Sequence, residues 1–165
     1  MHMFVRLIFV LLALGSLSAS AQKFIYTPKD LQPINLLCDS STWSYTRMTC
    51  TDNFAIMWQK GFGYDLACPP SLEGQPMKVD LDNLKDKLES YYAFFRDSLQ
   101  FVRKGSKSEK YRMMVMINYS LEGTAYGGDY DGEIGALWLA PNRIQDQRLN
   151  CIAHELGHSF QSQIT

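Results

Sequence analysis

A single helix near residue 155 limits what this chain can fold into. From about Arg148 onward, apolar side chains recur at spacings of three and four, which predicts an amphipathic helix. With about 100° of rotation per residue, the helix has one apolar side and one polar side. The apolar side holds Leu149, Ile152, Ala153, Leu156 and Phe160, and the polar side holds His154, Glu155 and His158. We therefore expect one side to pack against a core and the other to line a cleft.

The polar side has the spacing His-Glu-x-x-His, which suits a zinc ion. His154 and His158 lie four residues apart, so both rings can reach one ion. Catalytic zinc sites usually have three protein ligands and a water whose pKa falls to about 7. The motif predicts Zn²⁺ as cofactor, with Glu155 as the general base that deprotonates this water and later protonates a leaving amine. The alternative is a chance motif whose side chains form a solvated face.

The first residues predict export. A start that contains Arg6 is followed by an apolar run over residues 7–17 and by Ala19-Ser20-Ala21, a small-residue cleavage site. We expect a signal peptide over residues 1–21, cleaved after Ala21, and a secreted or periplasmic product. The apolar run is short for a bilayer core of about 30 Å, so we expect no membrane span after cleavage. A retained membrane anchor is the alternative.

Removal of the signal leaves residues 22–165, which is enough for one domain. Arg6 leaves with the signal, so 15 basic residues face 17 acidic ones and no basic cluster remains. Binding to phosphate backbones draws on such clusters, and we therefore expect no nucleic-acid partner. The oligomeric state stays open.

Four cysteines follow the predicted cleavage site, an even number in a compartment that permits disulfides. They are Cys38, Cys50, Cys68 and Cys151, and the sequence leaves all three pairings open. Cys151 precedes His154 by three residues, so it can be a buried apolar side chain, half of a disulfide or a thiolate near the metal. The two structural interpretations are favoured.

Strand and helix patterns alternate along the chain and indicate an α+β domain. A helix is expected to begin after Asp80 and to run through Val102, with Gly105 just beyond it. The segment 128–133 has alternating carboxylates but lacks the glycine and glutamate of a calcium loop, so a hairpin turn is expected. The other expectations are strands at Phe54–Trp58, Met113–Ile117 and Ile134–Leu139, and a turn-rich connection at Gly123–Gly132.

The motif and the order of elements around it resemble the zincin metallopeptidases, and the signal peptide adds a resemblance to exported bacterial zincin-like proteins. The resemblance implies a small mixed sheet, a long helix, a C-terminal active-site helix and a peptide or protein substrate. It also implies that the strand before the motif helix is the edge of the sheet and pairs with the substrate backbone. That strand supplies Gly135, Ala136, Leu137, Trp138 and Leu139 as the expected substrate-binding residues.

The sequence departs from this superfamily at the third zinc ligand. The metzincin pattern has glycine and histidine where this chain has Gln161 and Ile164, so that branch is excluded and a gluzincin-like site is expected. Gluzincins take their third ligand from a glutamate on a later helix, and the sequence stops at Thr165. Three explanations stay open: the sequence is an amino-terminal fragment, the domain is non-catalytic, or the donor lies upstream. The upstream candidates are Asp129, Asp131, Glu133 and Cys151.

The residues favour a secreted zinc-dependent peptidase domain that is incomplete at its C-terminus. We expect the 165-residue chain alone to bind metal weakly and to hydrolyse little. The rival is an exported, non-catalytic binding or adhesion module for peptide or glycan. The aromatic residues Trp43, Tyr45 and Trp138 would suit that role.

Overall fold

A computed structural model describes residues 22–164. The signal peptide predicted for residues 1–21 lies outside these described residues. Within residues 22–164, none of the helices is both long and apolar enough to cross a membrane.

A five-stranded mixed sheet forms the centre of the domain, in the order β1-β2-β3-β5-β4. The two central pairs, β2 with β3 and β3 with β5, are parallel, whereas the two outer pairs are antiparallel. The strands are β1 (Met48–Cys50), β2 (Phe54–Trp58), β3 (Met113–Ile117), β4 (Ala125–Tyr130) and β5 (Ile134–Leu139). The helices are α1 (Leu81–Asp97), α2 (Lys107–Lys110) and α3 (Asn150–Ile164). The α+β class expected from the sequence is confirmed.

Both faces of the sheet are covered, which explains why β2 and β3 are apolar at every position. On one face, side chains from α1 and α3 pack against alternate strand residues in a single buried cluster. On the other face, the segment before β1 supplies Leu31 and Leu36 to a second buried cluster. The strands predicted from the sequence are confirmed at both ends for β2, β3 and β5.

Helix α1 begins as expected but ends earlier. The Asp80 side chain accepts a hydrogen bond from Asn83 N at 3.0 Å and caps the first turn. The helix ends at Asp97 because Gln100 takes the left-handed conformation at φ 56°, which breaks the helical backbone. The predicted extension to Val102 is therefore wrong.

The segment predicted as a turn-rich connection, Gly123–Gly132, contains a strand. Strand β4 occupies Ala125–Tyr130 and pairs with β5 along its whole length. The turn is confined to the residues after it, where Asp131 and Gly132 have φ values of 61° and 66°. The hairpin turn expected near residues 128–133 is confirmed, and the long loop around it is wrong.

The predicted edge position of β5 is also wrong. Strand β5 lies between β3 and β4, and β4 ends the sheet within residues 22–164. Strands on both sides already pair with residues 136–139, and Gly135 pairs with Asp129 of β4, so these residues do not form the edge that was expected to pair with a substrate. The edge that an extended chain could join belongs to β4.

Candidate metal centre

Helix α3 lies directly on the backbone of β4 and β5, because two glycines remove the side chains between them. A Cβ atom at Gly127 would lie 1.7 Å from the carbonyl oxygen of Glu155, and one at Gly135 would lie 2.9 Å from that of Ser159. The buried Ser159 hydroxyl also donates to Ala136 O at 2.7 Å. These contacts fix the height and rotation of the motif helix on the sheet.

The helix presents its two sides as the sequence predicts. Leu149, Ile152, Leu156 and Phe160 are buried in the cluster shared with α1. The rings of His154 and His158 are exposed, and the side chain of Glu155 is half-buried. Burial of the apolar side therefore leaves all three motif side chains with access to solvent.

The Nε2 atoms of the two imidazoles lie close together. His154 Nε2 and His158 Nε2 are 3.2 Å apart, and the ring planes are at 86° to each other. Two nitrogens bound tetrahedrally to zinc at about 2.0–2.1 Å would be about 3.3 Å apart. The separation also suits a hydrogen bond between a protonated and an unprotonated ring nitrogen. The separation of the two Nε2 atoms therefore matches that of two ligands in a zinc site.

A neighbouring amide orients one of these rings. Gln161 Oε1 lies 3.3 Å from Nδ1 of His158, and an amide oxygen can only accept a hydrogen bond. This contact favours the tautomer with a proton on Nδ1 and a lone pair on Nε2. Metal-bound histidines commonly have such a partner on their second nitrogen.

The carboxylate of Glu155 turns toward the edge strand. Its Oε2 accepts a hydrogen bond from Gly127 N at 2.9 Å, while Oε1 is not part of this bond. Glu155 and His158 line a cleft of about 490 Å³ together with residues 125–129 and Ser162. The motif and the edge strand thus share one solvent-accessible cleft.

The open side of β4 has backbone groups at alternate residues. Thr124 O accepts from Ala140 N on the β5 side, whereas Gly127 N donates to Glu155 on the open side. Backbone groups alternate along an antiparallel strand, so Ala125, Gly127 and Asp129 face outward. These residues form the part of the sheet edge that borders the cleft.

The upstream donors do not join the histidines. Among residues 22–164, no group of three or more His, Cys, Asp and Glu side chains could hold a metal ion. Asp129 accepts from Gly132 N, Asp131 accepts from Tyr26 and from Lys29 N, and Glu133 pairs with Lys107 at 3.0 Å. Each carboxylate is engaged in local structure near the β4–β5 turn.

Cys151 is a thiol held away from metal chemistry. Its Sγ lies 2.9 Å from Arg143 O, to which it donates, and the side chain packs against the apolar cluster beneath α3. Burial raises the pKa of this thiol, which disfavours the thiolate that a metal would need. Cys38, Cys50, Cys68 and Cys151 are all free thiols. Of the interpretations left open for Cys151, the partly buried apolar side chain describes its surroundings.

The family model DUF6055, described as a family of unknown function, matches residues 17–165. The chain belongs to this family. No curated protein and no solved structure matches this chain.

Three contributors to the site escape the sequence reasoning. The sequence predicts a turn at Gly127, although a glycine inside a strand can also mark close backbone contact. Ser159 and Gln161 follow the motif on helical spacing, but short polar residues on a helix are too common to single out. The position of α3 on β5 reveals the contact of Ser159 with Ala136, whereas Gln161 contacts His158 within the helix itself.

Proposed function

We propose that this chain is a secreted zinc-dependent peptidase domain with a zincin-like, gluzincin-type site on helix α3. The convergence of His154 and His158 at 3.2 Å, with Glu155 directed into the cleft beside an open sheet edge, carries the proposal. A chance motif on a solvated helix has no reason to lie against a sheet edge with its carboxylate bonded to that edge.

His154 and His158 would hold the zinc ion through their Nε2 atoms. When bound, zinc supplies a Lewis acid that polarises the scissile carbonyl and lowers the pKa of its water to about 7. Two imidazoles are fewer than the three protein ligands usual in catalytic sites, so the third donor would come from outside the described residues. The proposal therefore includes weak zinc binding by the 165-residue chain alone.

Glu155 would act as general base and then as general acid. Its carboxylate takes a proton from the attacking water and returns it to the nitrogen of the departing amine, as peptide hydrolysis requires. The bond from Gly127 N holds Oε2 and keeps the side chain directed along the cleft, which leaves Oε1 to reach the water. Backbone support of this kind costs little reorganisation during the reaction.

The edge strand β4 would bind the substrate in place of β5. Ala125, Asp129 and the carbonyl group of Gly127 present backbone groups to the cleft, and an extended peptide can pair with them as an added strand while Gly127 N stays bonded to Glu155. Such pairing recognises the peptide backbone rather than particular side chains. It would place a peptide bond next to the motif on α3.

One observation favours an alternative. Because residues 22–164 offer no third donor, the chain could instead be an exported binding or adhesion module that holds a peptide on β4 without cutting it. Both functions use the same open edge. They differ in whether Glu155 takes part in a reaction.

Zinc titration with matched variants tests the proposal. We expect His154→Ala and His158→Ala to weaken zinc affinity at least tenfold in competition with a chromophoric chelator. Glu155→Gln should retain zinc within about threefold and abolish turnover of an unstructured protein substrate in excess zinc. Glu73→Gln, at an exposed position outside the cleft, is the matched control and should change neither quantity.

Two results would count against the peptidase. Zinc affinity that is unchanged in both histidine variants would refute the metal centre. The low turnover expected of the wild-type chain should depend on Glu155, so peptide binding with turnover no higher than that of Glu155→Gln in saturating zinc would assign the binding module.

A further inference from the structure

Three aromatic side chains form a contiguous group on the face of the sheet opposite α3. Tyr126 packs on Trp138 with ring centroids 5.6 Å apart, and Tyr130 meets Trp138 edge-on at 4.8 Å. Trp138 Nε1 donates to the Tyr130 hydroxyl at 3.1 Å. We call Tyr126, Trp138 and Tyr130 the aromatic platform. Its inner members are fixed by packing and a hydrogen bond before any ligand arrives.

The outer member, Tyr126, is 60% exposed although it lies on a strand. Its ring extends along β4 over Gly128. A Cβ atom added at Gly128 would lie only 3.1 Å from Tyr126 Cε1. An isolated exposed aromatic residue is common on protein surfaces. Tyr126 differs because its ring packs on Trp138 and because Tyr126 is itself one of the residues that line the cleft.

Strand geometry relates the platform to a peptide bound on β4. A peptide residue opposite Gly127 would project toward α3 and Glu155, since side chains on paired strands share a face. The next peptide residue would project to the other face, opposite Gly128. There it meets the exposed ring of Tyr126, because Gly128 has no side chain to block it.

We propose that Tyr126, supported by Trp138, selects substrates with an aromatic or large apolar side chain next to the residue that faces Glu155. This inference rests on the proposed function, because it assumes a peptide paired with β4. It makes Tyr126 a specificity-determining residue and peptides with a bulky apolar residue near the scissile bond the substrate class. The contact is a ring-to-ring or ring-to-methyl contact of the kind already present between Tyr126 and Trp138.

Extended octapeptides with one phenylalanine moved along an alanine and serine background test the preference. Binding is measured by fluorescence anisotropy in the full chain carrying Glu155→Gln, with zinc added, so that no peptide is consumed. We expect one position of phenylalanine to bind about tenfold more tightly than alanine. Tyr126→Ala should remove this preference, while Tyr126→Phe should keep it.

Tyr64→Ala is the matched control, because Tyr64 is also exposed, at 67%, and lies outside the cleft. It should leave the preference unchanged. Circular dichroism identifies any loss of fold, and Tyr126→Phe keeps the test valid if Tyr126→Ala is unstable. The inference is overturned if no position prefers phenylalanine, if no peptide binds, or if Tyr126→Ala retains the preference.

The outcomes separate this inference from the zinc proposal. If zinc binding and turnover depend on the motif but the preference is independent of Tyr126, only the specificity inference fails. If the histidine variants leave zinc affinity unchanged while the preference still depends on Tyr126, the metal centre fails and a peptide-binding edge remains.

Discussion

The substitution Gly127→Ala probes the closest contact in the site. The added Cβ would lie 1.7 Å from Glu155 O, and real Cβ atoms essentially never come within 3.0 Å of another heavy atom, so β4 and α3 must separate by at least 1.3 Å. Overpacking of this kind costs about 1–3 kcal/mol, and the upper value applies because the obstacle is backbone. The separation would also strain the hydrogen bond from Gly127 N to Glu155. Alanine offsets part of this loss, because it lowers the conformational entropy of the unfolded chain by an amount worth about 0.4–1 kcal/mol. We expect a net loss of about 3 kcal/mol in the free energy of unfolding.

Urea unfolding followed by circular dichroism measures this loss, provided that the denaturant slopes agree between variants. Gly128→Ala is the matched control, because its added Cβ meets only the flexible, exposed ring of Tyr126 at 3.1 Å. It should change the free energy of unfolding by less than about 1 kcal/mol. A Gly127→Ala variant as stable as Gly128→Ala would refute the direct contact of α3 with the edge strand. The fixed position of Glu155 would then lose its support.

Three further measurements test other parts of the structure. Leu156→Ala should lower the free energy of unfolding by about 2–5 kcal/mol, because Leu156 is fully buried beneath the motif; a loss below 1 kcal/mol would contradict this packing. Burial lowers the pKa of Lys23 from 10.5 to about 8, so the folded state binds fewer protons than the unfolded state between these values. Stability relative to Lys23→Gln should therefore rise with pH above about 8, by about 1 kcal/mol at pH 9.5 once solvent screening of this partly exposed group is included. If the difference in the free energy of unfolding between the two proteins does not change over pH 7–9.5, the partly buried ammonium is contradicted. Iodoacetamide should label the exposed thiol of Cys68 well before Cys151, whose pKa is raised by burial; equal rates by mass spectrometry would contradict the placement of Cys151.

Periodicity in the sequence is enough to place most of the framework. The apolar runs at Phe54–Trp58, Met113–Ile117 and Ile134–Leu139 are strands at their predicted bounds. A strand that is buried on both faces needs apolar side chains at successive positions, and such a run can be recognised in the sequence. The two sides of α3 follow in the same way from helical spacing. Local preference and tertiary packing agree in these segments.

The edge strand is where sequence reasoning fails. Ala125–Tyr130 contains two glycines and an aspartate, residues that favour turns, and its pairing with β5 overrides that preference. The glycine needed for contact with Glu155 looks, in sequence, like a glycine needed for a turn. The edge position expected for β5 comes from the zincin resemblance, and β4 occupies that position instead. The pairing of β4 with β5 decides which strand forms the edge, and a single sequence does not show this pairing.

The elements of the candidate site are contiguous in the chain, whereas the rest of the sheet is not. Strand β4, its turn, β5 and α3 follow one another within residues 125–164, while Phe54 pairs with Met113 across 59 positions. Short-range contacts close with a smaller loss of loop entropy and form faster than distant parallel pairings. The hairpin and the motif helix can therefore come together early in folding, and completion of the central sheet is expected to limit the overall rate.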